Sequence, residues 1–407
     1  QQTTTSESKQ TTSSDSSTSS NTAPVVADTC SSSSSSSTSS GPKGLITFDP
    51  SSTFPNLPAG VTIKYFDNGL TGPLSSLPTA NSVALFSHSS ALTNGGVALG
   101  LNTGCTGGCG ALLTFDALQN KVSGVGNDFG GDSILDNEIF HVTVFDQNGN
   151  KIGSATKSAA FVDGQDLKEV TFTSSSANIK FAAFTYEVDL GFYSVDNIDP
   201  PDPSSLTSVE LSDGSAMTYL LAEPYMQIDN TSFNATGDLI AIRNGSSLDL
   251  QSSLLSATNA DLTVGGDLLE ISGGGSLTTA ANPVVLLDGG SYNIDGNLFN
   301  LSGLNTDPAT GLGTDKPISG DGLSSGLLKV TGGAEVNAGG SALRLDTALL
   351  EATAPIISLL GTPAAQTTLT TEQSTIDLIK SRMTSTGPVV AMDKSFINVT
   401  NGALINL

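Results

Sequence analysis

Along the second half of the chain, short apolar blocks return at nearly fixed intervals. Leu239-Ile240-Ala241-Ile242, Leu268-Leu269-Glu270-Ile271, Leu298-Phe299-Asn300-Leu301, Leu327-Leu328-Lys329-Val330 and Ile356-Ile357-Ser358-Leu359 start 29, 30, 29 and 29 residues apart, and Val389-Val390-Ala391-Met392 follows after 33. A second series runs half a period out of phase, through Tyr225-Met226-Gln227-Ile228, Leu254, Val284-Val285-Leu286-Leu287, Leu343-Arg344-Leu345, Ile376-Asp377-Leu378 and Leu404-Ile405-Asn406-Leu407. The blocks alternate apolar with small or polar residues, which is the period of a strand with one face turned inward. Gly, Asn, Asp and Ser separate them and supply the positive-φ positions of tight turns. That density of Gly forbids helices. A repeat of about thirty residues holding short strands and turns predicts one rung of a parallel β-solenoid, because a single rung cannot bury its inner face without a neighbour. An antiparallel sandwich with strands every 8–12 residues or so is the alternative, but nothing in it would maintain the beat over five steps.

Two copies can be laid side by side: Pro283-Val284-Val285-Leu286-Leu287-Asp288 with Ser291-Tyr292-Asn293-Ile294, and Pro388-Val389-Val390-Ala391-Met392-Asp393 with Ser395-Phe396-Ile397-Asn398-Val399. In repeat length and composition, residues 206–407 resemble the right-handed parallel β-helices of secreted bacterial surface proteins, such as autotransporter passengers and haemagglutinin-type adhesins. The resemblance implies a secreted or cell-surface protein with a structural or adhesive role.

The first half is patterned differently. Residues 1–44 are rich in Ser and Thr, 26 of the 44, with scattered Gln, Asp and Pro and with Ser31 to Ser37 unbroken. Such a stretch has no apolar surface to offset the entropy of ordering, so a disordered tail or stalk is expected. A plain tether is preferred over an O-glycosylated stalk. Residues 45–199 read as a run of strands: Leu45 to Asp49, Val61 to Phe66, Val83 to Phe86, Leu112 to Phe115, Phe140 to Phe145, Val170 to Phe172, Ile179 to Tyr186 and Phe192 to Ile198. Asn148-Gly149, within Asp146 to Asn150, predicts a type I′ hairpin turn. No helical stretch intervenes, so an antiparallel β-sandwich is expected. The bracketing segments Ile46-Thr47-Phe48-Asp49 and Phe192 to Ile198 resemble the first and last strands of lectin-like jelly rolls in bacterial extracellular proteins. Residues 200–205, with Pro200-Pro201-Asp202-Pro203, mark a rigid boundary. The fold class is therefore all-β: a sandwich, then a parallel solenoid from 206 to 407, with residues 206–237 as an irregular first rung.

Charge narrows the partners. Only 13% of the 407 residues are charged, against about a quarter in ordinary soluble domains, and 39 Asp and Glu against 15 Lys and Arg give a net charge of −24. That field repels nucleic acid and anionic membranes. No stretch reaches the ~18 apolar residues of a transmembrane helix. A first residue of Gln implies that a leader has been removed.

Candidate chemistry is sparse. Gly126 to Glu138 places Asp128, Asp132, Asp136 and Glu138 in a Gly-rich stretch, and hard cations take clustered carboxylates. The jelly-roll resemblance implies a structural calcium joining first and last strands, at Asp49 and Asp196. The competing reading is solvated loop aspartates that cap turns. Cys105-Thr106-Gly107-Gly108-Cys109 closes as a local disulfide in an oxidising compartment, with metal binding as the alternative, and Cys30 is left over. Asp146, Asn148 and Asn150 mimic the opening of an EF-hand, but Lys151 stands where its Gly belongs. Tyr65, Tyr186 and Tyr193 are the candidate sugar-stacking aromatics, but in a chain with no Trp, core or edge packing is the preferred role for each. Gly322-Leu323-Ser324-Ser325-Gly326 matches a nucleophile elbow, yet both histidines, His88 and His141, precede it, so a turn is expected. Arg243, Arg344 and Arg382 are scattered. No catalytic residue or organic cofactor is assigned. The expected function is a non-enzymatic structural or adhesive surface protein. Its partners are itself, head to tail through the apolar strand Ala403 to Leu407, and cell-surface glycans. A carbohydrate-binding or polysaccharide-degrading module is the competing function.

Overall fold

The computed structural model describes residues 61–66, 84–87, 97–101, 110–128, 137–160, 168–187, 193–199, 208–212, 214–280 and 283–407. The chain divides into two units, residues 1–40 and 41–407, and every described residue lies in the second. Among the described residues the only helix is one 3₁₀ turn, Asp321–Ser324, and everything else regular is β. That turn overlaps the segment matching the nucleophile elbow, Gly322 to Gly326.

The N-terminal part is built from ten described strands in two antiparallel layers. One layer orders Val61–Phe66, Gly110–Gln119, Ile179–Glu187, Asn137–Phe145 and Lys151–Ala160; the other orders Ala84–Ser87, Val97–Leu101, Tyr193–Asp199, Lys121–Asp128 and Lys168–Thr173. The layers pack face to face. A Cβ built on Gly124 would lie 2.5 Å from the Phe184 ring of the opposite layer. Phe184 in turn stacks on Phe140, with ring centroids 5.9 Å apart. Three of these strands, Val97–Leu101, Lys121–Asp128 and Lys151–Ala160, escape the sequence reading. The hairpin at Asp146 also differs from expectation. Gly149 alone has positive φ (81°), and its N–H donates to the Asp146 carbonyl at 3.1 Å. This is a type I turn closed by a left-handed Gly, with the pairing slipping a residue between Val144 and Phe145, not type I′.

From Val209 onward the chain winds as a parallel solenoid of about six circuits. Each circuit lays down three faces, A, B and C. On face A, Val209, Ile240, Leu269, Phe299, Leu343, Ile376 and Ile405 stack in one column, so successive circuits take 31, 29, 30, 44, 33 and 29 residues. The first circuit, expected to be irregular, contributes strands to all three faces: Val209–Leu211, Ala216–Tyr219, and Met226–Asp229 with Ser232–Ala235. On face C, Met226, Leu255, Val285, Leu328, Ile357 and Val390 form a column of apolar side chains. Burying each inward Leu or Ile contributes roughly 2 kcal/mol.

The fourth circuit corrects the regular beat. The step from Leu298 to Leu327 leaves face A and lands on face C, because residues 303–317 are inserted after Phe299–Ser302. An insertion of about half a period exchanges the two apolar series. Side chains also refine the paired copies. Ser291 stacks through Glu335 and Thr368 onto Phe396, and Tyr292 onto Ile397. Phe396 therefore points outward and is 54% exposed.

The two parts share one sheet. Ala216–Tyr219 on face B pairs parallel with Ser247–Leu250 and antiparallel with Lys151–Ala160 of the N-terminal layer, Ala216 opposite Thr156 and Tyr219 opposite Gly153. The result is a continuous nine-stranded sheet. The solenoid thus begins by adding strands to the edge of the sandwich layer, which satisfies the backbone groups that an open first rung would expose.

Candidate functional site

The corner between faces C and A is built from a recurring pair: Gly237-Asp238, Gly266-Asp267, Gly296-Asn297 and Gly340-Ser341. Asp238 Oδ1 accepts the Asp267 N–H at 2.7 Å, Asp267 Oδ1 accepts the Asn297 N–H at 2.6 Å, and Asn297 Oδ1 accepts the Ser341 N–H at 2.8 Å. Each side chain thus caps the turn of the next circuit. Gly is needed because a Cβ at Gly266, Gly296 or Gly340 would sit 2.3–2.4 Å from the Oδ1 of the residue below.

Beside this corner, face A carries the densest charge cluster among the described residues. Arg243 Nη1 donates to Glu210 at 3.1 Å, its Nε donates to Glu270 at 2.9 Å, and its Nη2 donates to both Asp238 and Glu270. The four residues come from three consecutive circuits, and only Asp238 and Arg243 are close in sequence. Sequence reading left Arg243 isolated; the signal it missed is a separation of 33 and 27 residues from Glu210 and Glu270, about one circuit each way. Arg243 is held above its ordinary range, chiefly by its hydrogen bond to Glu270. Burial pushes the Asp238 carboxyl up; the hydrogen bond from the Asp267 N–H opposes this, and the neighbouring Glu270 adds to it. Burial also pushes Glu270 up, but the bonds from Arg243 and Ser272 outweigh it and hold Glu270 low. Two carboxylates with diverging proton affinity are the raw material of acid–base chemistry. Here, however, Arg243 occupies both, and the cluster lies on an outer face.

Further along face A, Glu270, Asn300, Arg344 and Asp377 follow one another in an outward column. Arg344 flanks the buried Leu343 and Leu345, as its sequence position predicts, and lies 3.7 Å from Asp346. Arg382 is on face B, in the column of Leu349. The arginines are not brought to one site.

The expected metal and disulfide residues fall largely outside the described residues: Asp49, Asp132, Asp136, Cys105 and Cys109, together with His88. Asp128 and Asp196 have backbone positions on neighbouring strands, Asp128 opposite Tyr193 and Asp196 opposite Val125. Among the described residues no group of three or more His, Cys, Asp or Glu side chains is placed to hold a metal ion. The Asp146 loop is closed on itself: Asp146 Oδ1 accepts the N–H groups of Asn148 and Asn150, each at 2.8 Å. Slight burial raises its pKa, but these bonds outweigh that and hold it low. Tyr65 and Tyr186 belong to strands of one layer and Tyr193 to a strand of the other. No described helix is long and apolar enough to cross a membrane.

The second segment of face C has the most regular outer surface. Ser232, Asp261, Ser291, Glu335, Thr368 and Phe396 form one outward column, and Asn234, Thr263, Asn293, Asn337, Thr370 and Asn398 form the next. Asn337 Nδ2 donates to Asn293 Oδ1 at 3.1 Å, joining two circuits across the surface.

No family model matches this chain, and no curated protein does. Among solved structures, it is similar to the catalytic unit of a thermostable GH87 α-1,3-glucanase from Streptomyces thermodiastaticus strain HF3-3, at 11% identity and a TM-score of 0.18, covering 84% of this chain and 74% of that one. It is likewise similar to the catalytic domain of a GH87 α-1,3-glucanase variant in complex with tetrasaccharides, at 10% identity and a TM-score of 0.18, covering 84% of this chain and 99% of that one.

Proposed function

We propose that this chain is a non-enzymatic extracellular scaffold that acts by adhesion through the outer faces of its solenoid. One observation carries the reading. The regular features of the outer surface are columns of like side chains repeated circuit after circuit, such as Asn234 to Asn398. A repeated array of weak contacts gains strength by multivalency. The net charge of −24 favours uncharged or cationic surfaces over nucleic acid. A structural calcium at the aspartates of the sandwich, and a jelly-roll ancestry for it, belong to the same proposal. A glycan array probed with and without chelator tests it. Saturable binding without bond cleavage is expected, and weakening by the chelator supports the calcium. Release of shorter glycans by the purified protein would overturn the non-enzymatic reading.

A further inference from the structure

We propose that the outer surface of the second segment of face C is a strip for a neutral, linear polysaccharide lying along the solenoid axis. This rests on the adhesive reading above and names its surface and ligand class. The inward residues of these strands, Leu262, Tyr292, Val336 and Leu369, are fully buried. Alternation then fixes their neighbours outward. The column Asn234, Thr263, Asn293, Asn337, Thr370 and Asn398 is a row of amides and hydroxyls. Each amide both donates and accepts, which is what sugar hydroxyls require of a partner. The Asn337 to Asn293 bond preorganises the row.

Charge sets the ligand class. Asp261 and Glu335 stand in the adjoining column, and no Lys or Arg occurs in either. A polyanion, whether polyuronate or nucleic acid, meets only repulsion there. Spacing sets its shape. Rungs repeat every ~4.8 Å, so five steps span roughly 24 Å. That repeat is comparable to the advance of one sugar ring in an extended chain. A linear glycan can therefore present successive rings to successive circuits. Phe396, 54% exposed at the last circuit of the adjoining column, is the single aromatic of the two columns; elsewhere each contact is weak, and length supplies the affinity.

The test is affinity electrophoresis of the full chain in gels containing a neutral linear glucan or, in parallel, a polyuronate. The parent is compared with a double variant, Asn293→Ala with Asn337→Ala. We expect retardation by the glucan that strengthens with glucan length, none by the polyuronate, and at least a tenfold weaker apparent Kd for the double variant. Circular dichroism checks that the variant retains the parent's fold. Equal retardation of parent and variant would overturn the strip while leaving adhesion elsewhere intact. No retardation by the neutral glucan, or stronger retardation by the polyuronate, would overturn the ligand class. Sedimentation covers the remaining occupant: a parent that self-associates where the double variant does not would assign the face to a second copy and overturn the proposal.

Discussion

The carboxylate of Asp267 accepts the backbone N–H of Asn297, one circuit further on, at 2.6 Å. The same carboxylate accepts Asn297 Nδ2 at 2.9 Å and Asn300 Nδ2 at 2.7 Å. One largely buried side chain thus serves three donors at the corner that every circuit must turn. Removing it leaves those donors unpaired, and an unpaired buried group costs more than the bond it lost. Asp267→Ala is expected to destabilise the chain by about 2–4 kcal/mol in urea unfolding. Asp267→Asn, which keeps one acceptor but turns a donor toward Asn300, falls between the two. A loss for Asp267→Ala no larger than that of a surface Asp→Ala would refute the capping role.

The glycines of the same corner supply an internal control. A Cβ at Gly296 meets Asp267 Oδ1 at 2.4 Å and the Gly266 carbonyl oxygen at 2.7 Å, whereas a Cβ at Gly237 meets nothing within 4 Å. Overpacking of this kind costs about 1–3 kcal/mol. Gly296→Ala is expected to lower the unfolding midpoint clearly, and Gly237→Ala to leave it unchanged or slightly higher. Equal effects at both positions would show that backbone freedom, not the inserted carboxylate, is what demands Gly.

The corner pairs illustrate what the sequence discloses. Gly266-Asp267 and Gly296-Asn297 are visible to the eye, but without the circuit they read as turn punctuation. The beat itself was legible because Leu on Leu and Val on Ile stacking repeats the apolar signal in every rung. It misled at residues 303–317, where an insertion of half a period let Leu327 pose as the next member of the Leu298 series. Strands such as Lys121–Asp128 and Lys151–Ala160 were illegible for a different reason. Their small residues are demanded by partners distant in sequence: Gly124 lies under Phe184, and Gly153 under Phe172 and the Thr218 carbonyl. Local propensity then points away from the strand that tertiary packing imposes. The Arg243 cluster is legible only once the length of a circuit is known.

The insertion should respond to acid. Asp315 accepts the N–H groups of Leu304 at 2.7 Å and Asn305 at 2.9 Å, and Asn305 Nδ2 at 2.9 Å. Slight burial raises its pKa, but these bonds outweigh that and hold it below the ordinary value. A carboxyl whose pKa is lower folded than unfolded contributes stability above its unfolded pKa of about 3.9, and that contribution is lost as pH falls through the folded value. Amide-exchange protection of Leu304 and Asn305 is therefore expected to hold at pH 5 and drop below pH 3. In Asp315→Asn the pH dependence should disappear. Protection that stays constant from pH 5 to pH 2 in the parent would refute it.

The sandwich layer and the solenoid are expected to unfold together. Lys151–Ala160 and Ala216–Tyr219 pair through four residue positions, Ala216 to Tyr219 against Thr156 to Gly153, and the Leu220 N–H continues the ladder to the Ile152 carbonyl at 2.8 Å. Beneath them, the buried Tyr225 hydroxyl donates to the Thr173 carbonyl at 2.9 Å. Its ring meets Tyr219 edge-on, with centroids 5.2 Å apart. One hydrophobic core runs through both parts, from Phe172 and Ile152 to Met217 and Leu248. Opening the seam would expose that core and leave a row of ladder groups unpaired, so neither part gains by unfolding first. Calorimetry should show a single transition whose van't Hoff and calorimetric enthalpies agree over residues 41–407, the two-state criterion. Tyr225→Phe leaves the buried Thr173 carbonyl without its donor, at a cost of about 1–3 kcal/mol. It should shift that single transition down without splitting it. Two resolved transitions in the parent, or a Tyr225→Phe effect confined to one of two transitions, would mean that the shared sheet does not couple the parts.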